Sequence, residues 1–272
     1  MLDLVLDDPL LAVDPGRLHD LLHDLLADAL DARQTANLAL IADAYHFAER
    51  TFRDATRRSG KPLLDHAVAV ARILVNTNQG STTIAAGLVH EAVEDGQAFP
   101  ALRQEFDDEI ADLVEGVDKL KDLTFQAPQE DLAERYRKTL IALAEDIRVV
   151  IIKFADRLHN MRYVDELDDQ TRQRMASESR DIYAPLAHRL GLARIRWELE
   201  DLSLKTREPE HNNPIRDKIY LRRNEREHLI EQVCGPLRDA IEKAGVDATL
   251  SGRPKNFYSI YKKMIRRRIS FE

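Results

Sequence analysis

Apolar residues recur at spacings of three and four along most of this chain, the period of a helix with one buried side. RLHDLLHDLLADAL repeats leucine at that spacing behind Asp14–Pro15, which suits a helix start, and reads as a packing or docking helix. ANLALIADAYHFAERTFRDA predicts a second helix, stopped at RRSGKP by Ser59, Gly60 and Pro62. LLDHAVAVARIL follows, then STTIAAGLVHEAVED, where Ser81 or Thr82 is the expected N-cap. ALRQEFDDEIADLVEGVDKL is amphipathic, and AERYRKTLIALAEDIRVVIIKFADRLHNMRYV is long and apolar in its middle. QTRQRMASESRDIYAPLAHRLGLARIRWELEDLSL predicts two helices parted near Pro185 or Gly191. Strand alternation is nowhere sustained, so the chain up to about residue 205 reads as all-α.

The tail changes character. IRDKIYLRRNEREHLIEQVCGPLRDAIEKAG is helical, but VDATLSGRPKNFYSIYKKMIRRRISFE reads as a β-type run, a turn at Gly252 and Pro254, and a new basic helix. A strand followed by a helix suggests the opening of an α/β domain. A lone strand is not a stable unit, so the chain is expected to be a piece of a longer protein. The expected organisation is a helical extension over 1–35, an all-α domain over 36–203, linker helices over 204–235 and the beginning of the further domain over 236–272.

Composition narrows the class. The 272 residues are 44% hydrophobic and 32% charged, enough for a core that needs no covalent staples. Cys234 is the only cysteine, which excludes a disulfide framework and a thiolate metal knot. No basic-then-apolar leader opens the chain and no apolar run reaches the roughly 18 residues of a membrane span, so a cytoplasmic protein without membrane contact is expected. The net charge of −8 hides an asymmetry. Residues 1–44 carry nine Asp against Arg17 and Arg33, whereas residues 252–272 carry seven Lys or Arg against Glu272. That pattern argues against nucleic-acid binding along the chain, while the basic end is either a solvated helix face or a local hold for a polyanion such as phosphate.

Three stretches place ionisable groups where apolar ones are expected. In AAGLVHEAVEDG, His90 and Glu94 stand four apart, as do Glu91 and Asp95, within a segment made apolar by Leu88, Val89 and Val93. Carboxylates partly buried together repel and lose hydration unless a cation, metal or Arg/Lys compensates. In VVIIKFADRLHNMR, Asp156 sits inside an apolar helix and shares a face with Ile152, His159, Asn160 and Tyr163. A salt bridge to Arg157, Arg162 or another helix would explain it, as would metal ligation. In GKPLLDHAVAVA, His66 follows a turn and opens an apolar helix, as a hydrogen-bonded core residue or a ligand. Taken together, His66, the His90 pair and Asp156 form a distributed imidazole–carboxylate set suited to Mn²⁺, Fe²⁺ or Zn²⁺, with positions left open for water and substrate.

The order His66, His90–Glu91, Asp156 resembles the H…HD…D pattern of the HD-domain metal-dependent phosphohydrolases. A narrower resemblance is carried by RRSGKPLLDHAVAVA, AAGLVHEAVEDG, KFADRLHNMR, YAPLAHRLGLARIRWELEDLS and GRPKNFYSIYKKM, which appear in the order found in RelA/SpoT homologues, the long alarmone enzymes that make and degrade (p)ppGpp. The resemblance covers roughly residues 40–272. It implies an all-α HD-domain helical bundle as the hydrolase domain, linker helices, and the first strand and helix of a truncated α/β synthetase domain, announced by Gly252, Arg253, Lys255 and Ser259.

What the resemblance implies for the site is specific. His66, His90 and Asp156 match the family's metal ligands, with Glu91 in the place of the usual Asp. Glu94 and Asp95 match the pair placed around the attacking water. Arg57, Arg58 and Ser59 match a basic loop beside the nucleotide, and Asn160 lines the base and ribose pocket. Tyr163 stands where Thr is more usual. The implied activity is Mn²⁺-dependent removal of the 3′ pyrophosphate from ppGpp or pppGpp in the stringent response, with the synthetase domain of the full-length protein as a partner. The alternative is a degenerate hydrolase domain that binds nucleotide or regulates the synthetase without turnover.

Overall fold

The computed structural model describes residues 15–32, 36–57, 60–93, 99–121, 145–221, 223–246, 248, 250 and 255–269. At its centre lies the helix Ser81–Val89, in which every residue from Thr83 to Val89 is buried. That is why STTIAAGLV shows almost no polar face: the helix is covered on all sides. Numbered in chain order, the elements are α1 (Pro15–Ala32), α2 (Leu38–Phe52), α3 (Leu63–Asn76), the central α4 (Ser81–Val89), α5 (Phe99–Glu105), α6 (Asp108–Lys121) and α7 (Ile147–Arg162). A single 3₁₀ turn, Val164–Glu166, leads to α8 (Asp169–Glu178), a π-turn at Ser179–Tyr183, α9 (Ala184–Arg189), α10 (Ala193–Arg207), α11 (Pro209–Leu221), α12 (Arg223–Lys243) and α13 (Phe257–Arg267). Helices α2, α3, α6 and α7 pack around α4, and α10 closes the far side of α7.

Local sequence explains several boundaries. Ser81 is the first residue of α4 rather than its cap; Gly80 takes the cap position, and the Ser81 hydroxyl instead accepts the Asn37 N–H at 2.8 Å. Asn37 in turn caps α2 through the Leu40 N–H. Asp146 caps α7 by accepting the Arg148 N–H. The break after α9 falls at Gly191, whose φ of +74° favours glycine, while Pro185 is accommodated in the first turn of α9. Gly87 permits a close approach of α3 and α4, because a Cβ there would lie 2.4 Å from Leu74 Cδ1. His66 in the first turn of α3 and His90 just past the end of α4 lie side by side, their ring centroids 5.4 Å apart.

α1 is the packing helix its leucines predict: Leu22, Leu25 and Leu26 are buried, and Arg72 of α3 reaches Asp24 and Asp28. The all-α expectation holds, and no β-strand is present among the described residues. The strand expected over 246–250 is therefore corrected at its described positions, 246, 248 and 250, which take no strand conformation because no strand lies alongside to pair with. The helix expected after it is α13, and Lys255 and Ser259 lie at its start; Gly252 and Arg253 lie outside the described residues. No helix among the described residues is long and apolar enough to cross a membrane.

Candidate metal centre

Three separate segments deliver ionisable groups to one buried point. His66 comes from the first turn of α3, just after the chain reversal that joins Arg57 to Gly60 and Lys61. That turn is closed by Gly60 N–H to Arg57 carbonyl (2.8 Å) and Arg57 N–H to Lys61 carbonyl (2.9 Å), with Gly60 at φ +78°. His90 stands at the end of α4, Glu91 directly after it, and Asp156 in the middle of α7. One nitrogen or oxygen from each of His66, His90, Glu91 and Asp156 lies within 4.8 Å of all the others. His66, His90 and Asp156 are buried and Glu91 is half-buried.

α4 ends at Val89, so the helical i, i+4 pairing expected of His90 with Glu94 and of Glu91 with Asp95 does not apply. The chain turns there, with the Ala92 N–H on the Val89 carbonyl. His90 Nδ1 meets the Gly87 carbonyl at 2.7 Å, one of the last carbonyls of α4, which have no partner within the helix. A carbonyl only accepts, so the Nδ1 carries the hydrogen. His90 Nε2 is left buried with no hydrogen-bond partner, 3.4 Å from Glu91 Oε1. A buried nitrogen lone pair aimed at carboxylates is what a metal ligand looks like before its ion is considered. His66 Nε2 lies 3.5 Å from Asp156 Oδ1 and 4.0 Å from Glu91 Oε1.

Asp156 owes its tolerance to a residue that the sequence reading passed over. Lys153 Nζ donates to Asp156 Oδ2 at 2.7 Å, whereas the expected partners Arg157 and Arg162 pair with Glu178 and Glu198. Burial alone would raise the Asp156 pKa, but the charges of Lys153 and the neighbouring groups hold the carboxyl below its ordinary range. The signal was available: a lysine inside VVIIKFAD, three positions before the aspartate. Burial, against the pull of Asp156, lowers the His66 pKa to about 3. The cluster thus holds a neutral imidazole at His66 and two carboxylates with one lysine against them, and its donor set of two nitrogens and two oxygens fits a first-row divalent cation.

The rim carries further expected residues. Asn160 Nδ2 donates to Asp156 Oδ1 at 2.6 Å, and Arg57 donates to Asn160 Oδ1. Tyr163 ends α7, with its ring 5.0 Å from the His159 ring and Lys61 Nζ 3.8 Å above its centroid. Lys61 also pairs with Glu166. Lys61, Lys153, His159 and Glu166 were not singled out as site residues from the sequence. Arg58, Ser59, Glu94 and Asp95 lie outside the described residues.

Comparison with known proteins agrees with this geometry. The chain is 42% identical over 240 residues to a protein of Synechocystis named probable guanosine-3′,5′-bis(diphosphate) 3′-pyrophosphohydrolase, covering 88% of this chain and 32% of that protein. It is 39% identical over 226 residues to the bifunctional (p)ppGpp synthase/hydrolase SpoT of Escherichia coli, covering 83% of this chain and 32% of that one. A GTP pyrophosphokinase of Myxococcus xanthus is 40% identical over 240 residues, covering 87% of this chain and 32% of its own. The chain spans about a third of the length of these curated relatives. Residues 44–193 match the family described as HD domain, a span that contains the whole cluster. The chain belongs to the HD domain family.

Proposed function

We propose that this chain is a divalent-metal-dependent (p)ppGpp hydrolase that removes the 3′ pyrophosphate of a guanine nucleotide, with Mn²⁺ as its ion. The observation that carries the reading is the convergence of His66, His90, Glu91 and Asp156, with the His90 Nε2 lone pair buried and unpartnered among them. These four would hold the ion. When bound, it supplies Lewis acidity, acidifying water and offsetting the charge of the diphosphate.

The chain's own groups do the rest. Glu94 or Asp95, the carboxylates three and four residues after Glu91, accept a proton from the attacking water. That water's oxygen bonds to phosphorus, the bond from phosphorus to the ribose 3′ oxygen breaks, and the leaving oxygen takes up a proton, returned from the carboxylate or delivered by solvent, to become the 3′ hydroxyl. The products are GDP or GTP and pyrophosphate. Arg57 and Arg58 counter the substrate's negative charge, with guanidinium able to grip phosphate through two hydrogen bonds. Ser59, Asn160 and Tyr163 line the nucleoside side. Glu91 keeps the charge and oxygen of the more usual Asp but adds a methylene, and its Oε1 lies 3.4 Å from His90 Nε2.

The test is to incubate the protein with ppGpp and Mn²⁺ and follow release of GDP and pyrophosphate. Turnover that disappears when the metal is chelated is the expected result. Tight nucleotide binding without turnover would replace this reading with that of a degenerate hydrolase domain.

A further inference from the structure

We propose that His159 is a positioning residue for the metal centre: its Nδ1 accepts the Nδ1–H of His66 and so holds the His66 Nε2 lone pair toward the cluster. This rests on the metal-site reading above. The two Nδ1 atoms are 2.8 Å apart in a buried setting. At that separation one hydrogen fits between them; two would clash, and none would set lone pair against lone pair. The pair therefore has two arrangements. If His66 donates, its Nε2 is a free donor atom 3.5 Å from Asp156 Oδ1 and 4.0 Å from Glu91 Oε1. If His159 donates, the hydrogen of His66 moves to Nε2 and the ring cannot ligate. A cation among the four ligands selects the first arrangement, with the hydrogen of His159 on its own Nε2.

The two ligand histidines differ in this respect. His90 is oriented by a backbone carbonyl, which has one role only, so its tautomer is set by the fold. His66 is oriented by a side chain that can either give or take, and that side chain is held in place by its own surroundings. His159 sits on α7 three residues after Asp156, its ring 4.7 Å from the His66 ring and 5.0 Å from the Tyr163 ring. The ligand Asp156 and the group that orients the ligand His66 therefore move as one rigid piece of helix.

Two substitutions separate orientation from packing. His159→Phe keeps a ring of similar size but offers no acceptor, whereas His159→Gln loses the ring but can accept from His66 through Oε1. Titration with Mn²⁺ alone, read by calorimetry, is expected to show roughly 10- to 100-fold weaker binding for His159→Phe, with most of the affinity restored in His159→Gln. Nitrogen-15 spectra of the wild-type protein loaded with diamagnetic Zn²⁺ are expected to show His66 carrying its hydrogen on Nδ1, a readout that depends on neither variant folding. Phe binding as tightly as Gln or more so, or His66 carrying its hydrogen on Nε2 with metal bound, would overturn the proposal. A wild-type protein that binds neither Mn²⁺ nor Zn²⁺ would instead bring down the metal-site reading, and this proposal with it.

Discussion

The chain concentrates ionisable groups in two places, and the folded structure treats them in opposite ways. Around α4 and α7, His66, His90 and Asp156 are withdrawn from water and arrive from three different helical segments. On α13, Lys262, Lys263, Arg266 and Arg267 share one helix that buries none of its residues. A single exposed helix leaves its charges hydrated, screened and free to move, so their mutual energies are small. Convergence from several packed helices strips the water away, and each group must then find a partner of defined geometry. The number of ionisable groups is similar; what sets one apart as a candidate site is that the core decides where its groups point.

The strongest way to break this contrast is Asp156→Ala. It removes a proposed ligand and leaves Lys153 buried without its counter-charge, so metal binding and turnover should both vanish and the metal-free protein should lose about 3–5 kcal/mol. Calorimetric metal titration and urea unfolding read the two effects. A variant that keeps its metal would show that Asp156 is not a ligand.

A pH titration of metal-free stability probes the same burial. The His66 pKa is lowered to about 3, and burial, aided by Arg57 and Arg162, lowers that of His159 to about 4. Between those values and the ordinary 6.5, the unfolded chain binds more protons than the folded one. Stability is therefore full above about pH 6.5 and should fall on acidification by up to about 1.4 kcal/mol per pH unit for each histidine. Replacing His159 by Gln should flatten the slope; an unchanged slope would mean that the His159 ring is not held neutral by the fold.

A smaller effect is expected at Gly87, which touches no substrate. Gly87→Ala places a methyl 2.4 Å from Leu74 Cδ1, and Leu74 is fully buried, so about 1–3 kcal/mol of stability should go as α3 and α4 are pushed apart. Because those helices carry His66 and His90, metal affinity should fall as well. Equal affinity alongside the stability loss would mean that the cluster tolerates this shift. The smallest effect belongs to the exposed helix: Lys262→Ala with Arg266→Ala should change stability by no more than about 0.5 kcal/mol and leave metal affinity unaltered.

Much of the architecture was legible because helical periodicity survives in the sequence as long as one face meets the core. α1, α2, α3, α6 and α13 appear where apolar residues recur at three and four. α4 was legible for a different reason, since an apolar stretch without a polar face has to be covered all round. The end of α4 was not legible. Periodicity continues past Val89 in AVED, and only a three-dimensional contact, His90 on the Gly87 carbonyl, marks where the helix stops. The same holds for Asp156: its discomfort in an apolar helix could be read, but its partner was sought among the arginines that follow and found in the lysine that precedes.

The amino-acid sequence by itself determined the all-α class, the chain break around Gly60 and Pro62 and the residue types of the candidate metal set, because periodicity, chain punctuation and donor chemistry are properties of short stretches. Tertiary structure alone decided that His66, His90, Glu91 and Asp156 meet within 4.8 Å and that His159 stands behind His66. Asp156 and His159 stand 90 and 93 positions after His66, and no local rule sets a distance across such a gap. It is set by the close packing of α3, α4 and α7, in which Gly87 allows α3 and α4 to approach.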